Sequence, residues 1–463
     1  MEKGYLHAVV WIVLLTVVML LAVGLLPEVD LLGTPMRKVD ILSDLRADSA
    51  AVAVPQAAPE AVVAEEVVGH VRVDTCREGI TCIDDMSDET DHGMTPFYRA
   101  IDSIHALGRP VRVAVLGDSF IEGDILTANL REMLQKRYGG CGVGYLPLTS
   151  NVAGFRMSVR QHFGDWNEHN ANDPKGYDAS QSTITGHYYH SGGGNWTEMR
   201  GVKEYLSRLD TCSRSTFYYM GTGTASVTAT VNGTERREFQ ISADGTAGSV
   251  SVEGRIGSVR WTVNRAEAGV IFLGASMDGL DGICVDNFAL RSASGIHLAA
   301  VSEKAYADFD RVRHYDLVII MYGLNVASNK SSEYASYQKH MKTAIERMKA
   351  AMPTTGILVV SVGDREVKRG GELHTPPGVL SLVNAQQKIA FDNRVAFWNL
   401  YKAMGGEGSI VAMVNAKPSL ANLDYTHINA RGGAHVAKLL YDALTWGQEQ
   451  YHRMTSEQKG GGQ

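Results

Sequence analysis

The segment Val111-Arg112-Val113-Ala114-Val115-Leu116-Gly117-Asp118-Ser119 sets the pattern for the whole chain. Its first six residues are rich in branched apolar side chains and predict a buried strand. Gly117-Asp118-Ser119 supplies turn chemistry. Ile125 to Tyr138 then carries Leu126, Leu130 and Leu134 on one face and predicts a helix. Strand, tight turn and helix open a parallel α/β unit. Ahead of this unit, Thr95 to Leu107 predicts a helix through Phe97, Ile101, Ile104 and Leu107, closed by Gly108-Arg109-Pro110.

The same rhythm returns late in the chain. Tyr315 to Met321, Gly356 to Val362 and Val395 to Leu400 read as strands, and Ser331 to Ala351, Leu380 to Phe391 and Ala430 to Trp446 as helices. From about Thr183 to Leu280 it gives way to short alternating segments, among them Ser215 to Tyr219, Ser226 to Val231, Val259 to Val263 and Gly269 to Leu273. Asn232-Gly233 is a hairpin signal. Short strands at this spacing predict a β-sandwich spliced into a single α/β domain. The expected division is 1–27 signal anchor, 28–70 tether, 71–150 first part of the α/β domain, 151–284 β-rich insert and 285–455 second part.

Composition fits a folded, multidomain chain. The 463 residues are 44% hydrophobic and 21% charged, which allows a sizeable core and excludes general disorder. A net charge of −7 leaves no basic footprint for nucleic acid. Five cysteines without paired CxxC spacing argue against a zinc module or a disulfide scaffold. Cys76 and Cys82 are near enough in sequence to close a small loop in an oxidising compartment, two free thiols being the alternative.

The N-terminus predicts a membrane anchor. His7 to Leu26 is apolar on every face, and about 20 residues at a 1.5 Å rise span a hydrocarbon core. The run is longer than a cleavable signal and is followed by Pro27-Glu28-Val29-Asp30 rather than a small-residue cleavage site. Residues 48–69, rich in Ala, Val and Pro, read as a tether.

Three polar clusters belong to the α/β frame: Gly117-Asp118-Ser119, Gly323-Leu324-Asn325 and Asp424-Tyr425-Thr426-His427. In an open parallel sheet, ligands bind beyond the carboxyl ends of the strands. A serine on a strand-to-helix turn sits near a helix N-terminus that favours developing negative charge. It needs a base, which His427 can supply, and Asp424 can hold that imidazole in the right tautomer. Taken singly, Ser119 could be a helix cap and Asn325 a turn former. Their joint placement on one frame is what points to chemistry.

With these clusters, Val115-Leu116-Gly117-Asp118-Ser119, Gly323-x-Asn325 and Asp424-x-x-His427 resemble blocks I, III and V of the SGNH (GDSL) hydrolases. The resemblance covers the α/β body in the family's order. It implies a three-layer α/β/α domain with a parallel sheet, Ser119 as nucleophile, His427 as general base and Asp424 as its orienter. It also implies an oxyanion hole from the Ser119 N–H, the Asn325 side chain and a block II glycine. That glycine is taken as Gly295, where the frame resumes after the insert, over Gly192 to Gly194 inside it.

Gly117-Asp118-Ser119-x-x-x-Gly123-Asp124, Leu130-Arg131 and Gly142-Val143-Gly144-Tyr145 are further similar to the peptidoglycan O-acetylesterases, which carry a β-sandwich inserted after block I. Phe120 and Val326 depart from that group, standing where histidine and aspartate are usual. The implied function is a serine esterase removing O-acetyl groups from a cell-wall or surface polysaccharide. An O-acetyltransferase with the same triad, and a non-catalytic glycan-binding protein, are the alternatives. The expected partners are an O-acetylated glycan and, through the N-terminal helix, a membrane, with the globular part outside the cytoplasm.

No cofactor or metal is implied. His187-Tyr188-Tyr189-His190 has helical ligand spacing but falls in a β-rich region, and Gly139 to Gly144 follows a helix rather than a strand.

Overall fold

The computed structural model describes residues 76–460 apart from 88–91 and 174, together with Trp11, Leu15, Asp30–Leu31 and Thr34–Pro35. The chain divides into two units, Met1–Val68 and Gly69–Gln463. In the first, Asp30–Leu31 pairs antiparallel with Thr34–Pro35. All that follows concerns the second.

Every residue of Val111–Gly117 is buried, and so is every residue of Leu317–Met321, Gly356–Val360 and Ala396–Trp398. Strands buried along their whole length must be covered on both faces. Two groups of helices supply the cover. Thr95–Asp102, Thr127–Tyr138 and Ala430–Gly460 form one, and Glu303–Arg313, Ala335–Ala351 and Pro377–Asn393 the other. Local chemistry sets their ends. Ser302 Oγ accepts the Ala305 N–H at 3.1 Å to start Glu303–Arg313. Gly139, at φ 81°, ends Thr127–Tyr138.

The strands lie side by side as Ile283–Ala289, Val111–Gly117, Leu317–Met321, Gly356–Val360 and Ala396–Trp398, all parallel. Numbered by sequence among themselves, they run 2-1-3-4-5. The order reverses between Val111–Gly117 and Leu317–Met321, so the crevice beyond their carboxyl ends is the topological switch point. Ile83–Asp85 adds an antiparallel edge. The sheet is therefore mixed, which corrects the expectation of a purely parallel one.

A second correction concerns the insert. Among the described residues its nine strands, joined by Gly144–Leu146 from just before it, form one curled antiparallel sheet of ten, not two separate sheets packed as a sandwich. The cause is a single 20-residue strand, Cys212–Val231. Its first half pairs with Gly248–Ile256 and Val270–Asp278, its second half with Glu235–Asp244 and Ser258–Ala266. The partners change around Gly221-Thr222-Gly223, where both glycines have positive φ, 86° and 121°. A Cβ on Gly221 would lie 2.1 Å from the Gly269 carbonyl oxygen, so only glycine fits the bend. Trp261, Phe217 and Phe272 pack inside the curl, with Phe217 centroids 5.3 Å from Trp261 and 5.6 Å from Phe272.

The two sheets meet at a buried ionic knot. Arg313, at the end of its helix, donates to Asp286 of the parallel sheet at 2.6 Å and to Asp278 of the curled sheet at 2.8 Å. It also reaches the Tyr218 hydroxyl at 2.6 Å. Burial works against ionising Asp278, but the guanidinium wins and holds its carboxyl well below the usual range.

The membrane expectation is also corrected. Among the described residues, no helix is long and apolar enough to cross a membrane. Ala430–Gly460 has the length, at 31 residues, but carries charges along it, including Arg431, Lys438, Asp442 and Glu449. The expected span, His7 to Leu26, lies outside the described residues except for Trp11 and Leu15, and the tether lies outside them except for the short pairing at residues 30–35. The membrane anchor, and the extracytoplasmic location built on it, are therefore not supported. Cys76 and Cys82 are disulfide-bonded, and Cys141, Cys212 and Cys284 are free.

Candidate active site

The nucleophile turn follows directly from strand packing. A Cβ on Gly117 would lie 2.8 Å from the Met321 carbonyl oxygen, so the strand can end this close to its neighbour only as glycine. Asp118 then turns inward. One oxygen accepts the Phe120 N–H at 3.0 Å, and the other accepts Gly323 N–H at 3.1 Å and Leu324 N–H at 3.0 Å. This carboxylate staples the Ser119 turn to the loop that carries Asn325. Burial pushes the Asp118 carboxyl up from its ordinary value, against those N–H donors.

Ser119 is left half-buried, facing His427. Its Oγ is 2.9 Å from His427 Nε2, and His427 Nδ1 is 2.7 Å from Asp424 Oδ2. A carboxylate can only accept, so the proton of a neutral imidazole belongs on Nδ1 and Nε2 is free to accept from the serine. Asp424 is fixed by its own loop, because its other oxygen accepts the N–H groups of Thr426 and His427, each at 3.0 Å. Burial would raise the Asp424 carboxyl, but these donors and the imidazole hold it below the ordinary carboxylate value. The loop is pinned by Asn422 N–H to the His427 carbonyl at 2.8 Å, and by Glu366 N–H to the Tyr425 carbonyl at 2.9 Å.

Asn325 and Gly295 are joined through a shared turn. The Asn325 side-chain amide donates to the Ala293 carbonyl at 3.1 Å. Gly295 is buried at φ 86°, and a Cβ there would press into the Tyr322 ring at 2.7 Å. The structure thus brings Ser119, His427 and Asp424 into one hydrogen-bonded row. It links Asn325 to the turn leading into Gly295, with no hydrogen bond from either residue to Ser119 among the described residues.

Sequence reasoning gave no role to Asp118, nor to the cluster at Asp124. That carboxylate is fully buried and is met by Arg131 at 3.2 Å, Arg156 at 2.8 Å and Thr127 Oγ1 at 2.7 Å. Asn287 donates to Thr127 and to the Ile121 carbonyl, both at 2.7 Å, so the cluster braces the segment after Ser119 against the neighbouring strand. The available signal was an aspartate on each side of the serine, Asp118 directly before it and Asp124 five residues after. The loop after Asn325 needs no aspartate at Val326, since Val326 and Ala327 N–H both return to the Gly323 carbonyl and Asp118 holds its base.

Metal-ligand geometry is present at Asp278, Cys284 and Asp286, but Arg313 already places its guanidinium on both carboxylates there. His187 and His190 lie in a strand, where residues three apart face opposite sides. His187 Nδ1 meets Glu168 at 3.1 Å, and His190 packs edge-on against His169.

The frame thus sets a serine, an imidazole and a carboxylate in one row at the switch point of an open α/β sheet. No family model matches the chain, and no curated protein matches it. Among solved structures, a peptidoglycan O-acetylesterase is similar at 22% identity, over 80% of this chain and 99% of that one, with a TM-score of 0.64. What is shared at that identity is the fold. A family two carbohydrate esterase from Cellvibrio japonicus aligns at 11% identity over 63% of this chain and 98% of its own, with a TM-score of 0.25 that carries no weight.

Proposed function

We propose that this chain is a serine O-acetylesterase acting on an acetylated cell-wall or surface polysaccharide. The observation that carries the reading is the row Ser119–His427–Asp424, with steps of 2.9 Å and 2.7 Å. His427 takes the hydroxyl proton as Ser119 attacks the acetyl carbonyl, and the freed sugar hydroxyl leaves with a proton returned by the imidazole. Water, activated by the same base, then releases acetate. Asp424 stays ionised throughout and keeps the imidazole in the working tautomer.

The tetrahedral oxyanion needs donors that are fixed in advance. The Ser119 N–H, the Gly295 N–H and the second proton of the Asn325 amide fill this role in our reading, the first amide proton being used to hold Asn325 in place. The likeness in fold to a peptidoglycan O-acetylesterase supports the substrate class. The test is acetate release from O-acetylated peptidoglycan. Wild-type protein should release acetate and Ser119→Ala should release none above background. Equal release by both would overturn the reading.

A further inference from the structure

A cavity of about 360 Å³ opens beside the nucleophile turn. Its walls come from both sheets. Glu122 and Gly123 follow Ser119, Leu290 to Ser292 precede Gly295, and Glu168, Asn170 and His187 come from the curled sheet. The wall comes within three positions of Ser119 at Glu122 and within three of Gly295 at Ser292, so the cavity adjoins the candidate chemistry without including it.

The charges in this wall are already matched. Arg291 forms a two-pronged pair with Glu122 at 2.9 Å and 2.6 Å, which also ties the two walls together. Arg156 is committed to Asp124 at 2.8 Å. Glu168 is engaged on both oxygens, by His187 at 3.1 Å and Thr149 at 2.5 Å. What remains to meet a ligand is amide and hydroxyl chemistry, such as Asn151 and Ser150. An anion entering here would find no unpaired cation in this wall, and a cation no unpaired carboxylate.

Apolar surface lies next to the wall in sequence. Phe155 is 81% exposed and Met157 50% exposed, on either side of the lining residue Arg156. The Phe155 N–H donates to the carbonyl of Val152, another lining residue, at 2.9 Å, which ties its backbone to the wall. A sugar ring presents the same combination, with hydroxyls around its edge and C–H groups on its face. The volume falls within the range of small-ligand sites.

The geometry points to this cleft as the seat of uncharged hexose rings next to the esterified sugar, with Asn151 bonding their edge and Phe155 covering their face. The substrate assignment rests on the esterase reading above; the binding does not. The test uses the full-length Ser119→Ala protein and, as probe, the tetramer of N-acetylglucosamine, followed by calorimetry. The tetramer should bind, and adding Phe155→Ala or Asn151→Ala should weaken it about tenfold, the order expected for one truncated contact. An alginate tetramer, which carries a carboxylate on every ring, should bind far more weakly. Binding of alginate as tight as that of the neutral tetramer, no binding of the tetramer, or an unchanged affinity in both variants would overturn the proposal. Separately, p-nitrophenyl acetate hydrolysis equal in wild type and Ser119→Ala would overturn the esterase reading while leaving the sugar site standing.

Discussion

Asp118 and Asp424 show how two carboxylates near one serine are given different work by their surroundings. Asp424 is exposed enough to stay ionised and is aimed at an imidazole, whereas Asp118 is buried and aimed at backbone N–H groups. Asp118→Ala would leave the N–H groups of Gly323 and Leu324 unpaired, at a cost of about 1–3 kcal/mol. Because it also frees the Asn325 loop, kcat for acetate release should fall more than KM rises, as steady-state kinetics can check. Asn325→Ala should cost about 10²–10³ in kcat, as the loss of one oxyanion donor does.

Glu168 gives a pH prediction. Burial opposes its ionisation, but hydrogen bonds from His187, Thr149 and Asn170 bring it down to about 2. Its unfolded value is about 4.3. A depressed carboxylate stabilises the fold fully above the unfolded value and loses that contribution as pH falls through the folded one. The stability gap between wild type and Glu168→Gln should therefore be constant above about pH 4.3 and close towards pH 2, as denaturant titrations at several pH values would show. The sequence singles out Ser119, His427 and Asp424 through their joint order on the α/β frame and the resemblance in block order, and the structure sets the three in one hydrogen-bonded row. The staple at Asp118 could not be read there, because its partners lie some two hundred residues away.

At the scale of elements, the long strand Cys212–Val231 is the informative case. Its sequence reads as two strands, Ser215 to Tyr219 and Ser226 to Val231, because glycines between alternating runs usually mark a turn. Here Gly221 and Gly223 bend one strand without breaking it, and so the expected sandwich becomes a single curled sheet. A residue with a side chain at position 221 would be forced into a left-handed conformation and against the Gly269 carbonyl. Gly221→Ala should cost about 1–3 kcal/mol, read as a lowered denaturant midpoint. Four of the five parallel strands could be read because burial on both faces demands continuous apolar runs. The fifth, Ile283–Ala289, is interrupted by Asp286-Asn287 and was cut by the expected insert boundary at 284, and the edge strand Ile83–Asp85 has no apolar run; both escaped notice.

For the molecule as a whole, the sheets are held together by a charge knot as well as by apolar packing. Removing Arg313 would strand two buried carboxylates, so Arg313→Ala should destabilise by about 3–5 kcal/mol. If the knot couples the sheets, wild type should unfold in one transition and the variant should show the two sheets melting apart, which calorimetry can resolve. None of this was legible beforehand, because the knot joins Asp278, Asp286 and Arg313 across elements whose pairing only the fold reveals. The order 2-1-3-4-5 gives the arrangement its purpose, since it sets Ser119 and the Asn325 loop on either side of one crevice.

That crevice can be interrogated directly with a serine-directed fluorophosphonate and peptide mass spectrometry. A single adduct on the peptide carrying Ser119, lost in both Ser119→Ala and His427→Ala, is the result expected of a hydroxyl activated by its neighbouring imidazole. Labelling elsewhere, or labelling of Ser119 undiminished without His427, would contradict the account.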